Sequence, residues 1–381
     1  MNKENSAHLL AMVCNTLFAL GMPVLWFIVT TWLCNLNCRY CGNEPNPYNE
    51  PTWISYNLEK LKRFLSHDKD PIIAFYGGEP LIASDVIRWI MDNIPAKHYV
   101  LQTNGLLLRK LPPEYIRRID TILVSIDGRP EITDYYRGRG VYEAVISNVK
   151  YLHQIGYSGD IIARMTISGK SDIYEDVMHL IDLGLFDHIH WQLDVFFDAP
   201  PHRYDDFPSW LHKYVRGVDR LLDFWFKKLA TGQILGLVPF QGILKILVTG
   251  ETPHPPCGSG QTAFAISTSG KIFACPISPS DDFLVGNIEE SKPYELPGRI
   301  TVGAPCTDCE FFTTCGGRCL YANRTMLWGE KLFFEVCKAT KHLIRRIEEL
   351  IPKIKKLVSE GIISWDDLLY PSYNNTTEII P

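Results

Sequence analysis

Six apolar runs punctuate the first half of the chain: "WFIVTTW" at 26–32, "PIIAFYG" at 71–77, "HYVLQTN" at 98–104, "TILVSID" at 121–127, "IIARMTI" at 161–167 and "HIHWQLDV" at 188–195. Most are rich in β-branched and aromatic residues, the pattern of buried strands. Between most of them, at 55–65, 84–93, 142–155 and 172–183, apolar residues return at three- and four-residue steps. That period predicts amphipathic helices. Strand and helix in alternation mean βα units and a parallel sheet. Right-handed crossovers curl six such units into a doubly wound sheet or a partial barrel. Polar residues crowd the C-terminal ends of the strands: a cysteine loop after the first, "GGEP" after the second, "QTNG" at the third and "SIDG" at the fourth. Function at that rim is the rule for barrels, and open α/β sheets share it. The expected fold class is α/β: an open partial (β/α)6 barrel of the TIM type over residues 24–195, followed by a small C-terminal domain.

The pattern changes after residue 195. Residues 196–256 are aromatic-rich and helical in period, and are read as a bridge covering part of the barrel mouth. From 257 to 340 the chain turns to Gly, Pro, Cys and short strands, which bury little apolar surface unaided, so a metal-stapled domain is expected. Residues 341–381 are read as a helix and tail. Residues 9–34 carry no formal charge and are long enough to span a bilayer. Gly21 and Pro23 interrupt a helix there, and "WFIVTTW" runs straight into the cysteine motif, so no membrane partner is expected. Residues 1–23 stand as an extension of uncertain status, with Met22 an alternative start.

Composition narrows the function. Of 381 residues 46% are hydrophobic and 21% charged, as in globular proteins, and a net charge of −5 without a basic run argues against nucleic acid. Of the eleven cysteines seven cluster, at 34–41 and 306–319. Neighbours so close in sequence suit chelation better than disulfides, and imply a reducing compartment, the cytoplasm. Cys14 fits neither cluster.

The first cluster, "CNLNCRYC", offers Cys34, Cys38 and Cys41 in one short loop at a strand end. A structural zinc site closes four ligands around its metal. Three thiolates instead hold three irons of a [4Fe–4S] cubane and leave the fourth without a protein ligand. "CNLNCRYC" followed by "GGEP" after the next strand resembles the radical S-adenosylmethionine (radical SAM) superfamily. The resemblance implies that Cys34, Cys38 and Cys41 bind the cluster, that SAM chelates the fourth iron, and that its reductive cleavage gives a 5′-deoxyadenosyl radical that takes hydrogen from a substrate. In that frame Gly77 and Gly78 admit the SAM amino group, with Glu79 beside them. Gln102, Thr103 and Asn104 face the ribose. Ser125 and Asp127 end the fourth strand, and Ser125 is a candidate to bond the SAM carboxylate. Arg164 is a candidate partner for that carboxylate, with Arg137 or Arg139 as alternatives. His190, Gln192 and Asp194 alternate on the sixth strand and share a face; if it points inward, Asp194 is a tentative catalytic base or substrate anchor.

The remaining cysteines read Cys257, Cys275, Cys306, Cys309, Cys315, Cys319 and Cys337, with "ISTSGKIFACP" a hairpin turning at Ser269–Gly270. This spacing resembles the SPASM domain of peptide- and protein-modifying radical SAM enzymes. The resemblance implies two auxiliary [4Fe–4S] clusters, one on Cys306, Cys309, Cys315 and Cys337, the other on Cys257, Cys275 and Cys319. The second set lacks a ligand, leaving a non-cysteine ligand or an open iron. The expected function is radical modification of a peptide or protein, with an electron donor such as ferredoxin or flavodoxin. Formylglycine-generating sulfatase maturation is an alternative, against which the missing eighth cysteine counts; a non-catalytic iron–sulfur or zinc protein is another.

Overall fold

The computed structural model describes residues 23–41, 49–194, 206–250, 255–326 and 328–369. Cys14, the first 22 residues, the start of the expected bridge and the end of the tail lie outside them. The strands are β1 (Leu25–Thr31), β2 (Ile72–Gly77), β3 (His98–Thr103), β4 (Thr121–Ser125), β5 (Asp160–Ile167), β6 (His188–Leu193), β7 (Gly236–Leu237), β8 (Ala263–Ile266), β9 (Lys271–Phe273) and β10 (Leu284–Asn287). The longer helices are α1 (Leu58–Leu65), α2 (Ser84–Asn93), α3 (Pro130–Arg137), α4 (Val141–Gln154), α5 (Ile173–Leu183), α6 (Phe207–Leu229), α7 (Val238–Thr249) and α8 (Gly329–Ser359). All strands form one sheet in the order β10-β9-β8-β1-β2-β3-β4-β5-β6-β7. Neighbours from β8 through β1 to β7 are parallel; β8–β9 and β9–β10 are antiparallel.

Side-chain alternation along the strands splits the core in two. Trp26, Ile28, Ile73, Phe75, Leu101, Ile122, Val124, Ile161, Ala163 and Trp191 face the helices. Leu25, Phe27, Ile72, Ala74, Val100, Leu123 and Ile162 meet on the concave inner face with Val238, Ala263 and Ala265. Both layers are closed to water at the base, so the barrel is filled there and its chemistry is confined to the rim.

Two expectations change. The strands after 257 do not stand apart. β8 pairs with β1 over Leu25↔Ala263 to Ile28↔Ile266, because its own alternation matches: Ala263 and Ala265 fall on the inner face, while the Phe264 ring lies 5.7 Å from Trp26 on the outer one. The short strands thus borrow the core they cannot build. The predicted hairpin is present, with Gly270 at φ +88° and Ser267 and Lys271 bonded across it. The bridge helix α6 does not cover the mouth. It packs in the outer layer, where Trp191 Nε1 donates to the Tyr214 hydroxyl at 3.0 Å and Asp219 accepts from His342 and Arg346 of α8. Helix α7 is enclosed on every side along its first turns, from Val238 to Leu244, and its Val238 reaches the inner face.

Candidate active site

The cysteine loop leaves β1 through two backbone anchors. Thr31 Oγ1 donates to the Thr52 carbonyl at 2.8 Å, and the Trp32 amide donates to the same oxygen. The end of β2 lies directly against this exit. The Gly78 amide donates to Thr31 O at 3.0 Å and the Glu79 amide to Leu33 O at 2.7 Å. A Cβ on Gly77 would fall 2.2 Å from Thr31 O, and one on Gly78 2.3 Å from Leu33 O. The two glycines are therefore required by the approach of one backbone to another, which brings "GGEP" beside Cys34.

The far side of the loop is held by a buried knot. Asp127 accepts from the Tyr40 hydroxyl at 2.6 Å, from Arg137 Nε and Nη2 at 2.8 Å each, and from the Thr166 amide at 3.0 Å. Arg39 caps the C-terminal end of α3: its amide donates to Tyr136 O and its Nε to Tyr135 O. On the near side Asn104 Nδ2 donates to Asn35 Oδ1 at 2.8 Å, with Cys34 Sγ at 3.8 Å. Burial raises the Cys34 thiol, and Glu79 and Cys41 add to it. Burial pushes Cys38 up to about 11, against Arg137 and with Cys41, Asp127 and Cys34. Burial and the neighbouring sulfurs thus disfavour the thiolates of Cys34 and Cys38, which a cationic metal centre would favour.

The rim residues divide into supports and lining. Glu79 is fully buried; Oε1 accepts from Thr103 Oγ1 and the Leu81 amide, and Oε2 from the Asn104 amide. Glu79 and Thr103 thus tie β2 to β3 and do not face a ligand. Arg137 is neutralised by Asp127 in the knot, so its guanidinium is committed there and not to a SAM carboxylate. Arg139 is exposed. Gln102 and Ser125 share the inner-face parity of Val100 and Leu123. Ser125 is level with Arg164, and Arg164 with His190. Arg164 is buried; Nη1 donates to Met165 O at 3.0 Å and Nη2 to Gln192 Oε1. His190 and Gln192 share this inner face. Asp194 is buried above it and accepts from Ser168 Oγ at 2.7 Å. Tyr40 and Arg39 are the functional residues that sequence reasoning missed; an aromatic inside the cysteine motif was the available signal for the first.

Six of the C-terminal cysteines fall into two neighbourhoods, Cys306, Cys309, Cys315 and Cys337 in one and Cys275 and Cys319 in the other. Cys306 is pushed up to about 11 by burial, with Cys337 and Cys309 adding to it. Cys315 is pushed up to about 12 by burial, with Cys306 and Cys337 adding. Burial raises Cys337 too, with Cys309 adding. These four sulfurs feel one another across a stretch of chain from 306 to 337. Cys275 and Cys319 both act on the Tyr321 hydroxyl, which burial raises first. Cys257 Sγ lies 3.2 Å from Ser259 Oγ.

Residues 28–184 match the Radical SAM superfamily. The chain carries a radical SAM domain. Over 321 residues it is 23% identical to the cysteine-type anaerobic sulfatase-maturating enzyme of Clostridium novyi, covering 75% of this chain and 84% of that protein. Over 330 residues it is 24% identical to mycofactocin maturase MftC of Mycolicibacterium smegmatis, covering 80% and 79%. The structure of native anSMEcpe with bound AdoMet and Cp18Cys peptide superposes with a TM-score of 0.69 at 17% identity, over 89% of this chain and all of that one. A radical SAM domain works with a [4Fe–4S] cluster and SAM. The radical SAM loop fits that pair: three thiols share one loop, and the glycines let the end of β2 pack directly against it. Among the described residues no three His, Cys, Asp or Glu side chains converge on a single metal ion.

Proposed function

We propose that the protein is a radical SAM enzyme that modifies a peptide or protein. The three-thiol loop at the end of β1, backed by Gly77 and Gly78, carries this reading. Cys34, Cys38 and Cys41 would hold the [4Fe–4S] cluster, which once reduced would supply the one electron that splits the C5′–S bond of SAM into methionine and a 5′-deoxyadenosyl radical. Gly77, Gly78, Asn104, Gln102, Ser125 and Arg164 line the adjoining rim. Arg164, held by Gln192 and the Met165 carbonyl, presents fixed positive charge where a carboxylate would sit. His190, Gln192 and Asp194 lie on the neighbouring strand, toward the substrate side, where Asp194 is placed to anchor a substrate or take a proton. Glu79, Asp127 and Arg137 position the loop.

Residues 257–340 we read as a SPASM-type region. Cys306, Cys309, Cys315 and Cys337 complete one auxiliary cluster set, and Cys257, Cys275 and Cys319 form a second that is one ligand short. The named relatives act in peptide and protein maturation, which supports the substrate class. All ten described cysteines are free thiols, in keeping with a reducing cytoplasm, and among the described residues no helix is long and apolar enough to cross a membrane. A ferredoxin or flavodoxin would supply the electron. The test is anaerobic reconstitution followed by iron, sulfide and 5′-deoxyadenosine analysis. About twelve irons per chain with matching sulfide, and SAM cleavage, are expected; zinc without sulfide sinks the reading.

A further inference from the structure

Helix α7 carries a further polar group into the barrel wall. Strand β7 has two residues and runs parallel to β6, with Leu237 level with Ile189. Across the sheet Ile189 is level with Ala163, and Ala163 with Val124. Val238 therefore opens α7 at the height of His190, Arg164 and Ser125, where the polar rim begins. Aromatic contacts mark the outer side of the helix: the Phe240 ring lies 5.4 Å from Trp191 and 5.7 Å from Trp225. Val238 marks the inner side, in one cluster with Leu25, Phe27 and Ile162. Gln241 stands nearly one turn on, about 60° around the helix from Val238 and about 100° from Phe240, on the inward flank.

Gln241 is only 2% exposed, and its Oε1 has no hydrogen-bond partner among the described residues. A carboxamide oxygen shut away from water without a donor weakens the fold, and an apolar residue would carry no such cost. Its presence calls for a donor that arrives with a ligand. The sheet order sets β7 and α7 beyond β6, at the opposite end of the barrel strands from Gly77 and Gly78. That is the side of the substrate and not of the SAM amino group. The fixed charge of Arg164 at the same height disfavours a cation there. A neutral N–H fits, and a peptide backbone presents one beside its own carbonyl whatever its side chains. A carboxamide matches that pair, acceptor to donor and donor to acceptor.

We propose that Gln241 is a substrate-contact residue, whose carboxamide hydrogen-bonds a backbone peptide group of the peptide being modified. The inference rests on the peptide-modifying reading above and deepens it: at this point the site holds its substrate by main chain and not by side chain.

The test compares wild type with Gln241→Met on the reconstituted holoenzyme. The probes are a pool of acetylated, amidated tetrapeptides of mixed sequence and the matching depsipeptide pool, in which ester oxygens replace the backbone N–H groups. Binding is read by ligand-detected NMR titration. In Gln241→Met the peptide pool binds roughly tenfold more weakly, the value of one hydrogen bond, while the depsipeptide pool binds both proteins alike. The urea midpoint of the variant stays or rises, since a buried orphan oxygen has gone. Peptide binding equal in the two proteins overturns the proposal, as does an equal loss of both pools. A lowered urea midpoint overturns it too, because the carboxamide would then be bonded within the fold. A KM for SAM raised as much as peptide binding is weakened assigns Gln241 to the cosubstrate and likewise overturns it. Absence of 5′-deoxyadenosine from the wild type defeats the radical SAM reading instead; the probe and urea arms need no SAM cleavage and still decide the role of Gln241.

Discussion

The two cysteine-rich regions of this molecule differ in how they are held. The loop bearing Cys34, Cys38 and Cys41 is exposed at two of its three thiols, and its rigidity comes from outside: the Asp127–Arg137–Tyr40 knot, the Arg39 cap and the Asn104 amide. The set Cys306, Cys309, Cys315 and Cys337 is drawn from short turns and the long helix α8, and its thiols are pushed up to about 11 and 12 at Cys306 and Cys315. One region offers its sulfurs to a ligand that must come and go. The other keeps all four half-buried. The contrast teaches that three ligands need a scaffold to stay in place, whereas four drawn from separate segments are themselves the scaffold.

The largest expected effect separates the regions by function. Cys38→Ala should bring 5′-deoxyadenosine formation to background while leaving most C-terminal iron in place; product at the wild-type level would mean that the loop is not the reaction centre. Cys315→Ala should do the reverse, losing about four irons of about twelve while SAM cleavage persists. If both variants lost all iron, the two regions would be one cooperative metal unit and the contrast would fail.

Next comes the scaffold. Asp127→Asn leaves a buried guanidinium unpaired and should cost about 3–5 kcal/mol, read as a lowered urea midpoint, with the N-terminal cluster lost more readily than the C-terminal ones. Equal loss from both would mean that the knot supports the whole barrel and not the loop in particular.

The smallest effect concerns Glu79. Burial raises its carboxyl to about 7, against hydrogen bonds from Asn104, Thr103 and Leu81. Below about pH 4.5 it is protonated folded or unfolded. Between that value and about 7 the native state keeps a proton that the unfolded chain has lost, so stability falls as pH rises, and above 7 the whole cost is present. The difference is on the order of 3 kcal/mol at most. Urea midpoints measured across this window should decline in the wild type and flatten in Glu79→Gln; the same slope in both would assign the pH dependence to other groups.

Much of this was legible in the sequence. The six strands of residues 26–193 and the helices between them announced themselves because a buried strand and an amphipathic helix have distinct periods. The cysteine spacings were legible because chelation is local. The continuation of the sheet into β8–β10 was not, since four-residue strands carry too little pattern to reveal that Ala263 and Ala265 would sit beside Leu25 and Phe27. Nor were the partners of Asp127 and Glu79. A carboxylate at a strand end reads as a ligand contact until the structure shows Arg137 or the Asn104 amide already bonded to it. Pairing across 10 or 25 residues leaves no trace in spacing.

The parallel seam between β1 and β8 also has a history written into it. As the chain emerges from the ribosome, β1 and the cysteine loop are made early, yet one flank of β1 stays bare until residues 263–266 appear. A raw strand of Trp, Phe and Ile is a template for wrong neighbours. Nascent chains that stall before that point should be the species most in need of chaperones, and C-terminal truncation should harm solubility before it harms chemistry.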